Sequence, residues 1–508
     1  MSPDVNKSPF PIRIQIEYLW ILVVIIGVFV FANTHPIRPN DFWWHMAVGR
    51  QIRSTGEIPA VDEYSYTMEN QPYPSYQMFW LPEIGLYTLY DAGGPEFVVI
   101  VNSLILTLTY AILIWICFKA AGSWRIAAVA TLIAIGFGIN NWNVRPQILS
   151  YLLGVLFLLG IYGYRRRSNP AWIAIFPLSM LLWANSHGSF PIGFVFLGIW
   201  FADELWKIMQ AWPKKEPARN IKNLVAPGIA ILLTSIASLA NPQGLGIISY
   251  VSTLSSNSVV QNLVIEWAPP TLNTQVGAIF ILGFILCIAI FIYSPKRLNF
   301  FQFVTFLVFS ILAFKTVRGG VWFGFAMAPV IADQLSALGR TLNLKYKQST
   351  RKRGFHVLNQ GLMAILLLVA IISLPWFRRI LPLPGAKSSP ISLETPVAAT
   401  EFLLRESPAG NLFHEMGFGS YLIWAAQPDY KVFVDPRIEL YSREIWEEYI
   451  ILNNALPGWE DYLKNQGVGV MMLSPYNQAT LIQESEDSKA WTKVYEDDAA
   501  VIFVKEGG

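Results

Sequence analysis

Asp41 and His45 stand four residues apart in the stretch "RPNDFWWHMAVGR", Arg38 to Arg50. On a helix that spacing puts a carboxylate and an imidazole on one face. Such a pair can move a proton between substrates near neutral pH. A second acidic candidate, the adjacent Asp62 and Glu63 in "VDEYSYT", follows shortly after. Neighbouring side chains diverge, so at most one of these two would face a given site. Arg145 in "NVRPQ" and Arg318 with Lys315 in "KTVRGGVW" offer cations. The planar fork of an arginine holds phosphate oxygens in pairs. Asn185 and His187 in "WANSHGSF" and Glu266 in "VIEWAPP" add polar groups to otherwise apolar surroundings. With Trp44 they are expected to line a substrate pocket. A divalent metal could be held by Asp41, His45 and His187, although no outer loop carries DxD, HExxH or a His/Cys cluster. For most of these residues a plain structural role is at least as common. Asn40 or Asp41 could cap a helix, and the tryptophans could anchor it at headgroup depth on the lipid.

What must position these groups is a membrane-embedded frame. The chain has 508 residues, 54% hydrophobic and only 14% charged, with mean hydropathy +0.41. A soluble protein carries roughly 25% charge. Crossing hydrocarbon takes about 20 apolar residues. Eleven runs are expected to span: 17–34, 96–118, 125–142, 146–164, 171–186, 190–208, 224–241, 276–294, 299–315, 320–339 and 355–375. The first reads as a retained signal anchor, because no cleavage site follows it. With the N-terminus inside, the inner segments hold 20 Lys/Arg and the outer loops 6. That bias favours a cytoplasmic N-terminus in the plasma (inner) membrane. It leaves "RRRSNP" and "KYKQSTRKRG" inside, and the polar clusters just described outside.

Two domains follow. Residues 1–380 form the membrane part, with a long first outer loop at 35–95. Residues 381–508 carry 19 Asp/Glu against 9 Lys/Arg and read as a soluble extracytoplasmic α/β domain. "NLFHE", "YKVFVD", "VGVMMLS" and "AAVIFVK" are expected strands of a small, partly parallel sheet. Gly417 and Gly419 suggest a tight turn after the first of them. His414, Asp435 and Arg437 fall at strand ends, where α/β domains often bind ligands. Cys117 and Cys287 lie in apolar runs and offer no disulfide or metal site. No internal repeat is visible, which argues against a transporter built of repeated halves.

Polar groups beside hydrocarbon are costly and commonly functional. Seven outer clusters, "NDFWWH", "PAVDEYSYT", "NNWNVRPQ", "WANSHGSF", "NPQG", "VIEWAPP" and "KTVRGGVW", would converge on one face. Outside the cytoplasm a transfer reaction lacks ATP and needs a donor already activated. A lipid phosphate supplies one sideways from the bilayer. Such chemistry needs an apolar groove, cations for the leaving phosphate, and a carboxylate base.

The stretch "DFWWHMAVGRQIRSTGEIPAVDEYSYT" with "WLPE", then "NVRPQ", "WANSHGSF", "NPQG" and "IEW" in order, and a late "GSYLIW" and "VFVDPRIELY", resemble a bacterial group within the GT-C superfamily. These are polytopic glycosyltransferases that use polyprenyl-phosphate sugars. The resemblance implies a GT-C-like fold of about 11 transmembrane helices with a C-terminal α/β domain. It implies a polyprenyl-phosphate sugar as donor and an extracytoplasmic glycan, lipid or protein as acceptor, with membrane lipids around it and no nucleic acid. An aspartate just after the first span serves such enzymes as base, and Asp41 matches that place. An acidic pair does so in other members, where Asp62 and Glu63 would stand. Arg145 and Arg318 are the nearest counterparts of the basic residues that contact the donor phosphate. The acid-x-acid pattern of metal-dependent relatives is absent. The implied reaction is direct displacement with inversion. A catalytically silent scaffold of the same architecture is the competing expectation.

Overall fold

The structure is a computed structural model, and it describes residues 16–211, 221–256, 265–342, 354–378, 380 and 389–506. Lys7, Arg13, the Lys214–Arg219 group, most of "KYKQSTRKRG" and the division at 381 lie outside the described residues. Within hydrocarbon the backbone must satisfy its own hydrogen bonds, so apolar runs become helices. The frame begins with α1 (Ile16–Thr34), α2 (Asp41–Thr55), α3 (Tyr76–Ala121), α4 (Trp124–Gly138) and α5 (Gln147–Arg167). It continues through α6 (Ile175–Trp183), α7 (Pro191–Ala211), α8 (Val225–Ser238), α9 (Gly246–Ser256) and α10 (Gln275–Tyr293). It closes with α11 (Phe300–Lys315), α12 (Gly319–Thr341) and α13 (Gly354–Ile372). Each of the expected apolar runs holds a helix. Six, in α1, α3, α4, α5, α10 and α12, are long and apolar enough to cross a membrane among the described residues. The run at 171–186 is the least regular: a 3₁₀ turn at Pro170–Ala174 leads into the nine-residue α6. The chain is an integral membrane protein.

Helix α12 lies at the centre and packs closely on α4. A Cβ at Gly324 would come 2.9 Å from the Ala134 carbonyl oxygen, so only glycine permits this approach. Helix α3 is broken where "GGP" falls: Gly94 has φ +67°, and Pro95 has no N–H to continue the ladder. Its first limb continues from the loop at 35–75, and its second limb is the apolar run expected from Glu96 onward.

The tail forms a four-stranded sheet ordered β1–β2–β4–β3, from β1 (Asn411–His414), β2 (Val468–Leu473), β3 (Trp491–Glu496) and β4 (Val501–Lys505). β1 and β2 run parallel and the other pairs antiparallel. Two expectations need correction. "YKVFVD" is no sheet strand. Val432 instead bridges Ser65 of the first loop, exchanging backbone hydrogen bonds of 3.0 and 3.1 Å with Tyr64 and Tyr66. Gly417 and Gly419 are not a turn but the start of helix Met416–Ala425. A Cβ at Gly419 would meet the Val434 carbonyl at 2.5 Å, so the glycine permits close packing.

That helix lies on α2. Trp43 and Trp44 are 1% and 4% exposed and therefore core residues, not anchors in the lipid headgroups. Trp43 makes edge contacts with Tyr421 at 5.0 Å and Tyr90 at 6.2 Å. The α2 backbone N–H of Trp44 donates to Ser420 Oγ at 3.0 Å. Helix α2 is thus sandwiched between α3 and the tail rather than lying on lipid. Its crossing with α3 is tight: a Cβ on Gly49 would be 2.1 Å from the Glu83 carbonyl oxygen.

Candidate functional site

Four side chains from distant sequence clusters meet at one end of this frame. Asp41 opens α2. Arg145 directly precedes Pro146, which leads into α5. Arg318 sits at the turn between α11 and α12, where a Cβ on Gly319 would lie 2.3 Å from the Leu312 carbonyl. Glu266 lies in a short 3₁₀ turn, Ile265–Trp267, whose backbone is stitched to the Arg318 turn: Arg318 N–H donates to Glu266 O at 3.1 Å and Val317 N–H to Ala268 O at 3.0 Å.

Arg145 joins the two carboxylates. Its Nη2 donates to both Glu266 oxygens at 2.9 and 3.1 Å, and its Nη1 reaches Asp41 Oδ2 at 3.4 Å. Arg318 Nε donates to Glu266 at 2.5 Å. The two carboxylates are therefore poised oppositely. Burial raises the Asp41 pKa above its ordinary 3.8, and Arg145 only partly offsets this. Glu266 also loses solvation, but Arg145 and Arg318 together hold it well below the usual glutamate range. Both keep over a quarter of their side-chain surface accessible, 29% for Asp41 and 28% for Glu266. Two carboxylates pushed apart in this way divide into a proton acceptor and a fixed charge.

The other sequence candidates are placed as follows. His45 is buried, its Nδ1 2.9 Å from Glu83 Oε1, and burial lowers its pKa well below 6.5. Sequence reasoning did not single out Glu83 as a partner, although it sits in the quoted "WLPE". His187 accepts the Ser189 backbone N–H on Nδ1 at 3.0 Å, which leaves Nε2 to carry the proton. Burial and the nearby Arg318 and Arg145 lower its pKa to about 3, so the ring is neutral. Asn185 is engaged in packing, accepting from Trp80 Nε1 and donating to the carbonyls of Leu181 and Ala240. Lys315 is exposed at the end of α11.

Asp62 is fully buried, accepts the Ser65 backbone N–H at 2.9 Å, and pairs with Arg437 of the tail at 2.5 Å. Arg437 also binds Asp435 and the Tyr76 hydroxyl. This network opens on no solvent, so the ligand role expected for Asp435 and Arg437 gives way to a clamp between loop and tail. His414 is likewise buried, accepting the Phe433 N–H on Nε2. Glu63 is exposed and accepts from Gln51. The metal arrangement of Asp41, His45 and His187 does not form: among the described residues no three His, Cys, Asp or Glu gather to hold an ion.

An apolar groove of about 200 Å³ runs up to Arg145. Its walls are Leu81, Leu86 and Leu89 on the first limb of α3, Val98, Val101 and Ile105 on the second, and Ile148 and Leu149 on α5. The break at Gly93–Gly94 is what lets the two limbs face the same groove.

No family model and no curated protein matches this chain. Solved structures do. The oligosaccharyltransferase of Archaeoglobus fulgidus, crystallised tethered to an acceptor peptide containing the NVT sequon, aligns over 96% of this chain and 74% of its own at TM-score 0.50 and 13% identity. The chain has the GT-C fold. ArnT from Cupriavidus metallidurans, solved with undecaprenyl phosphate, is also similar, over 96% of this chain and 97% of its own, at TM-score 0.47 and 13% identity. In this fold the Asp41–Arg145–Glu266–Arg318 group stands where Arg145 meets the apolar groove, between the helical frame and the first loop.

Proposed function

We propose that this GT-C chain is a glycosyltransferase that moves a sugar from a polyprenyl-phosphate donor to an acceptor outside the cytoplasm. The observation that carries the reading is the junction of the groove with the charge cluster. Leu- and Val-rich walls lead to Arg145, and beside Arg145 stands a carboxylate of raised pKa. In this reading Asp41 takes the proton from the acceptor hydroxyl. The freed oxygen attacks the anomeric carbon, the bond from that carbon to the phosphate oxygen breaks, and the polyprenyl phosphate leaves with inversion. Arg145 and Arg318 balance the charge that develops on the phosphate. Glu266 holds both guanidinium groups in place, and neutral His187 offers an Nε2–H beside them. His45 orients α2 through Glu83. The proposal includes eleven spans, a cytoplasmic N-terminus, a frame of residues 1–380 and an extracytoplasmic tail of residues 381–508.

A second reading has an observation of its own. Both arginines already bond Glu266, and a closed charge cluster suits a scaffold without turnover. Mass spectrometry of lipids copurifying with the protein names the donor, and transfer from that lipid in proteoliposomes then separates the readings. A general base contributes roughly 10²–10⁴-fold, so Asp41→Asn should lose at least about 100-fold in rate with an unchanged unfolding temperature. Full activity in Asp41→Asn removes Asp41 as base. Absence of any transfer by the wild type favours the scaffold.

A further inference from the structure

Asn102 lines the groove on the second limb of α3, between Val101 and Ser103, and is 7% exposed. Its Nδ2 is buried without a hydrogen-bond partner. Arg145 lines the same groove and has the same feature: its Nε is buried and unpartnered while both Nη atoms are engaged. The remaining wall of the groove is aliphatic. A buried donor left unmet is destabilising. Two such donors on residues that line one apolar groove fit an occupant that is greasy along its length and carries acceptor oxygens at its head. A plain hydrocarbon would leave both donors unmet, and a free anion would leave the apolar wall uncovered.

We infer that Asn102 is a positioning residue for a lipid phosphate, its side-chain amide and Arg145 Nε–H donating to the phosphate head while the prenyl chain lies along Leu86, Leu89, Val98 and Leu149. The inference rests on the glycosyltransferase reading for the identity of the lipid and extends it to a residue that contributes no charge. Asn102 selects for the phosphate through donated hydrogen bonds, and it sets the depth at which the head stops.

Binding to the purified full-length protein in nanodiscs tests this without turnover. The probes are a polyprenyl phosphate, the matching polyprenol and inorganic phosphate. Wild type should bind the polyprenyl phosphate at least about tenfold more tightly than the polyprenol. Asn102→Leu should lose roughly tenfold for the phosphate, about 1.4 kcal/mol, with no change for the polyprenol. Asn102→Gln should recover part of the loss. In the lipid-free protein Asn102→Leu should unfold at the same or a higher temperature, because it removes an unmet donor. Lower affinity with equal or higher stability is a combination that a packing role does not produce. Equal binding of the polyprenyl phosphate by wild type and Asn102→Leu overturns the inference. So does an equal loss for both lipids, or competition by inorganic phosphate as strong as by the lipid. A chain that binds in this way but transfers no sugar keeps the inference and removes the transferase reading.

Discussion

Arg437 and Asp62, 375 positions apart in sequence, form an ion pair in which neither side chain has any exposed surface. The pair ties the first loop to the tail, alongside Asp435, Tyr76 and the Val432–Ser65 bridge. Removing one partner of such a network leaves a buried charge unmatched, at about 3–5 kcal/mol. Arg437→Leu should therefore lower the unfolding temperature steeply and open the loop around Glu63 to limited proteolysis. Arg443→Leu, at an exposed pair with Glu447, should do neither, because exposed pairs contribute about 0–1 kcal/mol.

If Asp41 is the base, it acts only when ionised, so transfer must fall as pH drops through its pKa. Burial raises that value above 3.8, while Arg145 pulls it down. The acid limb of kcat/KM should lie above the ordinary aspartate range. Arg145→Met removes the favourable charge and should move the limb to higher pH, besides lowering the rate. A limb that stays in place in Arg145→Met, measured with the same donor, argues that another group is titrating.

Glu266 has the opposite sign. Its folded pKa lies below the ordinary 4.5, so it stabilises the fold above that value. The contribution is lost as pH falls from about the unfolded value through the depressed folded one. Glu266→Gln should thus be less stable than wild type at pH 7, with the gap narrowing below the ordinary glutamate range. Unfolding temperatures from pH 3 to 7 check this. A gap of constant size across that range means that the pairing with Arg145 and Arg318 is not its source.

The crossing of α2 over α3 sets where Asp41 stands. A methyl on Gly49 would collide with the Glu83 carbonyl, a backbone atom that cannot swing away. Overpacking of this kind typically costs about 1–3 kcal/mol. Gly49→Ala should lower the unfolding temperature and, by shifting α2, reduce transfer more than it weakens lipid binding. Gly27→Ala, where nothing lies within 4 Å of the added carbon, is the matched control and should be neutral.

The order of residues by itself determined the helices. Apolar runs in hydrocarbon have no backbone partner but themselves, so each expected run holds a helix, and the "GGP" break in α3 is likewise local chemistry. The sequence also showed which clusters carry unusual polar groups, and Asp41, Arg145, Glu266 and Arg318 come from four of them. What only the tertiary structure decided is which polar group meets which. Asp62, expected at a site, is held by Arg437 from the far end of the chain. Trp43 and Trp44 have the spacing of interfacial anchors, yet the helix Met416–Ala425 covers them. "YKVFVD" has the pattern of a strand, yet its bridge is to the first loop. Asn102 is a polar residue within the apolar run 96–118, and nothing in that run marks it out. Only the fold places its buried, unpartnered amide on a groove shared with Arg145 and the first limb of α3. Helix formation is governed by neighbours within a few residues, whereas these pairings depend on packing between segments up to hundreds of residues apart, which periodicity does not report.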